Sequence, residues 1–512
     1  MFFQVALIKS HTEMPGALQE TWHRAFLSYR KLRFHTIINA LRGCAEKPTE
    51  RCTLMLTKIL DKKLGSSIFT GRQIISMLMP LIMDSFFVFG IGVLTTAMIS
   101  SSSQESVAAI SLVGPLYMMV YAINNAISAG GTVVVAMFKG KGETERVKEA
   151  AGQLIVGLPL SSLAACILLV LCADPLIRFL FHGMEETILV KAEHYLIGVA
   201  ISAVFLSVYM SGFAVFRGLG ETKKCLHLSI LINVLHFVAS FVFINILKLD
   251  IMGSALSLNL ARLVGGMAAV LMLISKKSSI EIRPRHVFRI DWRIQKEIFR
   301  IGIPCGMEQL FMNGGAMLVQ VYIAKLGTAS VAANAVSNSI FSVLYAAPSA
   351  VATLAVTIVG QCIGAGEKKL ARRYGRSMVW LCTVLVLLSL AIGMPCIPLL
   401  LKLYQAQAET VPMIYRVLII AAVSMPFFWG ASSVLPSVMR SAGDASYASY
   451  FSLVTMWVVR VGLGYLMAIP MGLGLEGVWI AMCTEWAVKT VAFGLRFRGE
   501  KWLAHSDRMD KM

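Results

Sequence analysis

The stretch IISMLMPLIMDSFFVFGIGVLTTAMIS, residues 74–100, decides what kind of chain this is. It stays apolar for longer than the ~20 residues a helix needs to cross the hydrocarbon core of a bilayer. One proline, Pro80, and one carboxylate, Asp84, interrupt it. Further stretches of the same kind occupy residues 107–137, 155–172, 189–213, 226–247 and 252–274. After a basic segment they resume at 298–326, 331–363, 378–401, 412–438, 447–469 and 475–493. The reading is an all-α polytopic membrane protein with about twelve spans. Composition agrees: 57% of the 512 residues are hydrophobic and 15% are charged, against ~25% charged in soluble domains.

The formal charge of +19 would fit nucleic acid if it lay on one face, but here it lies between the spans. The loop after the second span holds Lys139, Lys141, Arg146 and Lys148. The loops after the fourth, sixth and eighth are also basic, while those between are poor in cations. Basic loops stay in the cytoplasm. The alternation predicts a plasma (inner) membrane protein with both termini and the linker 276–297 inside. Ten Cys form no C-x-x-C pair and none has a His at metal-ligand spacing, so no metal site or disulfide framework is expected. Residues 1–69 are basic and hold no span, which predicts a cytoplasmic extension, as a disordered segment or a basic amphipathic helix over 23–43. Met55 is an alternative translation start within it.

The halves repeat. Pro80 and Pro304 are separated by 224 residues (304 − 80 = 224), as are Tyr121 and Tyr345, and Glu143 and Glu367. SVAAISLV at 106–113 answers SVAANAVS at 330–337, and GKGE at 140–143 answers GAGE at 364–367. VFRGLGET at 215–222 parallels VMRSAGDA at 438–445, one residue out of register. The offset skips six spans, so both halves enter the membrane in one direction, as in parallel repeats about an axis along the membrane normal. This predicts a lobe over 70–275, a linker over 276–297, a lobe over 298–497 and a tail over 498–512.

The segment 434–482, VLPSVMRSAGDASYASYFSLVTMWVVRVGLGYLMAIPMGLGLEGVWIAM, resembles the last helices of the multidrug and toxic compound extrusion (MATE) family. The R-x-x-G-D turn from Arg440 to Asp444, the M-W-x-x-R run ending at Arg460 and G-L-G-L-x-G-V-W-I at 472–480 carry it. In the first half FRGLGET with Arg217, then Asn233 and Arg262, and GKGETERVKEAAGQ at 140–153 look alike. The resemblance is to DinF-like bacterial members and covers about residues 70–500. It implies two six-helix lobes with a cleft between them, and export of small, often cationic organic compounds against a proton or sodium gradient. It also makes Arg217, Asn233, Arg440, Asp444 and Arg460 structural family positions. In two places this chain departs from the family: Thr95 stands where a coupling Asp is common, and Phe237 stands four residues after Asn233 where another is frequent.

Ionisable groups inside a membrane are functional suspects by default. Asp84 and Glu308 each lie four residues after the repeated proline, so each half holds one carboxylate at the same place. They are read as a pair lining the cleft, with Thr95 three turns from Asp84 on its face. Gln309, Asn313 and Gln320 share a face of the seventh span. Tyr121, Asn124 and Asn125 share one on the second, and Asn338 and Tyr345 lie on the eighth. Such polar stripes line a cleft or bridge helices within a lobe. Glu485 and Lys489 are spaced to neutralise each other, and Arg460 is read as pairing within its lobe. No phosphate-cradling motif or catalytic triad occurs in the sequence, so an enzyme and a bound cofactor are not expected. The expectation is a cation-coupled antiporter of small organic compounds, working as a monomer. The alternatives are a flippase for lipid-linked saccharides and a transport-dead sensor or interaction protein.

Overall fold

A computed structural model describes residues 68–99, 104–180, 186–275, 278–289, 291–404 and 406–504. Most of the N-terminal extension, with its start at Met55, and the end of the tail lie outside the described residues. The chain divides into two compact units, Met1–Gly65 with Thr70–Ile75, and Ser66–Phe69 with Ser76–Met512. Of the first, the described part is the opening turn of a helix, where Ile74 N donates to Thr70 O.

Among its described residues the second unit holds helices and no strand. It holds α1 Gly71–Ile99 from Ser76 onward, then α2 Gln104–Lys141, α3 Thr144–Leu171, α4 Glu186–Leu219, α5 Thr222–Ile246 and α6 Asp250–Ile274. The others are α7 Trp292–Lys325, α8 Thr328–Gly364, α9 Lys368–Leu403, α10 Val411–Ser441, α11 Ala445–Ala468 and α12 Gly474–Arg498. Among the described residues, ten of these are long and apolar enough to cross a bilayer. The other two, α1 and α7, have 29 and 34 residues, ample for a ~30 Å core at ~1.5 Å per residue. Helix α7 is the more polar of the two, with Glu308, Gln309, Asn313 and Gln320 along it. Large apolar side chains such as Leu171, Leu271, Ile392 and Leu399 are exposed on the helix surfaces, as lipid contact requires.

The repeat survives in hydrogen-bond detail. After α2, Glu143 N bonds to Phe138 O and Gly142 N to Lys139 O. After α8, Glu367 N bonds to Cys362 O and Gly366 N to Ile363 O, every partner shifted by 224. Gly142 and Gly366 have φ of 76° and 77°, the left-handed value such a helix stop needs and glycine adopts without strain. GKGE and GAGE are therefore matching helix stops. The long helices were foreseen, but the sequence reading missed the π-helical turns Phe241–Ile246 and Met456–Leu463. It also started α7 too late. That helix begins at Trp292, where Asp291 accepts a bond from Arg293 N, so the end of the expected linker belongs to α7. Residues 285–289 of the linker dock on α3: Gln153 Nε2 donates to Arg289 O at 2.7 Å, and Glu145 accepts from Arg285 at 2.6 Å.

Helices α2 to α6 pack among themselves, as do α8 to α12, while α2 also packs on α7 and α8. The tightest contacts between halves lie at the end that carries the basic loops. A Cβ on Gly140 would stand 2.0 Å from Gln361 O, and one on Gly364 would stand 2.0 Å from Met137 O. Residues 137 and 140 are the repeat partners of 361 and 364, so this crossing is a two-fold contact of the chain with itself. Across it Thr357 Oγ1 donates to Arg217 O at 2.8 Å and Gln361 Nε2 to Gly218 O at 2.9 Å.

Candidate functional site

A cavity of about 470 Å³ opens inside the first half. Five helices wall it, each through one broad face. Helix α1 supplies Asp84, Ser85 and Val88; α2 supplies Tyr121, Asn125 and Ser128. Helix α4 supplies Tyr209, Met210, Phe213 and Arg217, α5 supplies Ser229, Asn233 and His236, and α6 supplies Ala261 and Arg262. The volume suits a drug-sized molecule.

Asp84 lies near Ser229 and Arg217, yet its Oδ1 is buried without a hydrogen-bond partner. The Arg217 guanidinium lies 4.7 Å from the Phe213 ring centroid, and its Nε also lacks a partner. Arg262 donates to Ser202 Oγ at 2.6 Å and stacks over Tyr117 at 5.3 Å. Asn233 Nδ2 donates to Ser229 O at 2.8 Å, which fixes the amide at the cavity wall.

The same constellation stands closed in the second half. Glu308 corresponds to Asp84 and Arg440 to Arg217. There Arg440 Nη2 meets Glu308 Oε2 at 2.5 Å, with Glu308 only 9% exposed. Among the described residues no ion pair joins Asp84 to Arg217. Of the two carboxylates expected on one cleft, Asp84 lines this cavity and Glu308 is sealed against α10 by Arg440.

Asn124 is corrected too. It is fully buried and donates to Ser162 Oγ at 3.1 Å and Ala203 O at 3.3 Å, so it ties α2 to α3 and α4 and does not face the cavity. Tyr121 and Asn125, on neighbouring positions, do face it. Gln309, Asn313 and Asn338 are exposed on α7 and α8. Gln320 accepts from Asn334 Nδ2, whose Oδ1 accepts from Trp479, and Tyr345 packs between Phe341 and Trp429. The side chain of Thr95 lies outside the described residues. Asp444 accepts from Arg496 at 3.0 Å. Glu485, fully buried, takes Arg460 and Lys489 at 2.6 Å each. Arg217 and Asn233, read from the sequence as structural, line the cavity. Tyr209, Ser229 and Arg262 were not foreseen there. Only Arg262 carried a signal, as a cation inside an apolar span.

A family model described as MatE matches residues 80–242 and again residues 304–466, two matches themselves 224 residues apart. An uncharacterized transporter of Bacillus subtilis, YisQ, is 24% identical over 438 residues, spanning 84% of this chain and 95% of its own length. The probable multidrug resistance protein NorM of Thermotoga maritima is 22% identical over 441 residues, spanning 84% and 93%. Among solved structures, a multidrug resistance MATE transporter of the MOP superfamily in an outward-facing conformation superposes with a TM-score of 0.76. It is 19% identical and covers 86% of this chain and 97% of its own. A MOP superfamily transporter from Pyrococcus furiosus, described as having a binding pocket of reversed polarity, gives 0.76 at 20% identity, covering 83% and 95%.

Proposed function

Since the chain belongs to the multidrug and toxic compound extrusion family, matched by its model in both halves, we propose that it exports small organic compounds by antiport against a proton or sodium gradient. The chain is a multi-pass membrane transporter of that family. Its moving bodies are the lobes 70–275 and 298–497, and one copy suffices for transport. The observation that carries the reading is the cavity walled by Asp84, Asn233 and Tyr121 inside membrane-spanning helices. A carboxylate with an unpartnered buried oxygen is costly there, which marks Asp84 as a functional group. Asp84 exchanges partners during the cycle: a coupling cation or substrate in one state, Arg217 in the other. Its equivalent Glu308 already displays the paired arrangement. A ligand drives such a cycle only through unequal affinity for the two states. The Arg217 carbonyl is held by Thr357 across the contact between halves, so a shift of Arg217 is felt at that contact.

Asp84→Asn should reduce gradient-driven efflux at least about tenfold, equivalent to ~1.4 kcal/mol, with membrane expression unchanged. Efflux equal to wild type in everted vesicles discards Asp84 as the working carboxylate.

The orientation follows from loop charge: plasma membrane, with both termini and the basic linker in the cytoplasm. In a background where Cys44, Cys52 and, of the described cysteines, the exposed Cys172 and Cys396 are Ser, Ser102→Cys should react with an impermeant maleimide applied to intact cells, and Ser278→Cys should not. Labelling of the second site from outside reverses the orientation.

A further inference from the structure

The charges that face the cavity do not balance. Helix α1 brings Asp84, α4 brings Arg217, α5 brings His236 and α6 brings Arg262, while α2 brings only neutral Tyr121, Asn125 and Ser128. One carboxylate thus meets two guanidiniums, which stay charged at any working pH, and His236 adds no negative charge in either protonation state.

The guanidiniums are not neutralised from behind. Arg262 is held by a hydroxyl and an aromatic face, and Arg217 by an aromatic face alone. Among the described residues neither has a carboxylate within salt-bridge distance. The second half treats its arginines otherwise: Arg440 has Glu308, Arg460 has Glu485 and Arg496 has Asp444. A charge inside a membrane is paired or faces a water-filled path, so two unpaired arginines on one cavity mark a place where the partner comes from outside. Guanidinium geometry suits planar, bidentate oxyanions.

We propose that this cavity receives a small organic compound through an anionic group, a carboxylate, sulfonate or phosphate, held by Arg262 and Arg217. The proposal rests on the reading of the cavity as the transport site, and it narrows the class of compound. A purely cationic compound meets a surplus of like charge there, with Asp84 as its one counter-ion.

Tyr121 lines the same cavity as both guanidiniums, so it is the place to read their field. In the full-length protein in lipid nanodiscs, with Cys44, Cys52, Cys172 and Cys396 as Ser, Tyr121→Cys is exposed to two methanethiosulfonates. One carries a sulfonate and the other a trimethylammonium group. The rate ratio, anionic over cationic, is compared with that at Glu409→Cys, an exposed loop position. The ratio should exceed the control at least about tenfold, and adding Arg262→Gln or Arg217→Gln should lower it towards the control. A ratio at or below the control, a ratio indifferent to both arginines, or no reaction with either reagent overturns the proposal. Nanodiscs of phosphatidylcholine and of phosphatidylglycerol separate the sources of the anion. Protection of the Cys in phosphatidylglycerol alone identifies a lipid headgroup, and equal rates identify a free solute. Efflux after the same reagent modifies Val88→Cys tests the underlying reading by itself: unimpaired efflux removes the cavity from the transport path, even with the anion preference intact.

Discussion

Glu308→Gln should lower the stability of the detergent-solubilised protein by about 3 kcal/mol or more, the cost of leaving one partner of a buried ion pair alone. The guanidinium of Arg440 would keep its charge and lose the carboxylate that meets it at 2.5 Å. The double substitution Glu308→Gln with Arg440→Met should recover much of the loss, because a buried pair replaced by apolar volume is close to neutral. Asp84→Asn should leave the unfolding midpoint close to wild type, since Asp84 faces a cavity and is in no ion pair among the described residues. A pair of residues equivalent by sequence thus splits into one variant that unfolds early and one that folds but fails to export. Thermal unfolding of the three variants by intrinsic fluorescence reads the split. Equal destabilisation by Asp84→Asn and Glu308→Gln would show that both are structural.

The second large effect is expected at the two-fold crossing. Gly364→Val places a Cβ 2.0 Å from the Met137 carbonyl, and Gly140→Val places one equally close to that of Gln361. Backbone stands on both sides, so no side chain can move aside, and the helices must separate. The hydrogen bonds from Thr357 and Gln361 to Arg217 and Gly218 lengthen with them. Either substitution should abolish efflux by preventing closure at this end. Spin labels on the exposed Glu143 and Glu367 should report a longer distance in both variants than in the parent. An unchanged distance with normal efflux would mean that the crossing has slack to absorb a side chain.

The sequence carried the fold far because its signals are simple. Span length follows from bilayer thickness, and the offset of 224 is a property of the text alone. The structure extends that offset to individual hydrogen bonds, as at Gly142 and Gly366. The site was less legible. Asp84, Tyr121 and Asn125, which line the cavity, stood out because polar groups within apolar helices are conspicuous. Asn124 was misread because one residue of helical rotation, about 100°, separates a cavity wall from a helix interface. The different fates of Asp84 and Glu308 were out of reach, since pairing depends on how far α4 and α10 each bring an arginine inward. The arginines themselves were visible, but their lack of a counter-ion is a property of three-dimensional neighbours.

The most direct test of gradient-driven export is made in proteoliposomes. Purified protein is reconstituted with a panel of fluorescent organic cations and anions, and a proton or a sodium gradient is imposed in turn. One gradient should drive dye across the membrane with saturable kinetics, its collapse by ionophore should stop the movement, and Asp84→Asn should stop it at least about tenfold. Dye movement that ignores both gradients, or that proceeds equally well with Asp84→Asn, would contradict a coupled exporter working through this cavity.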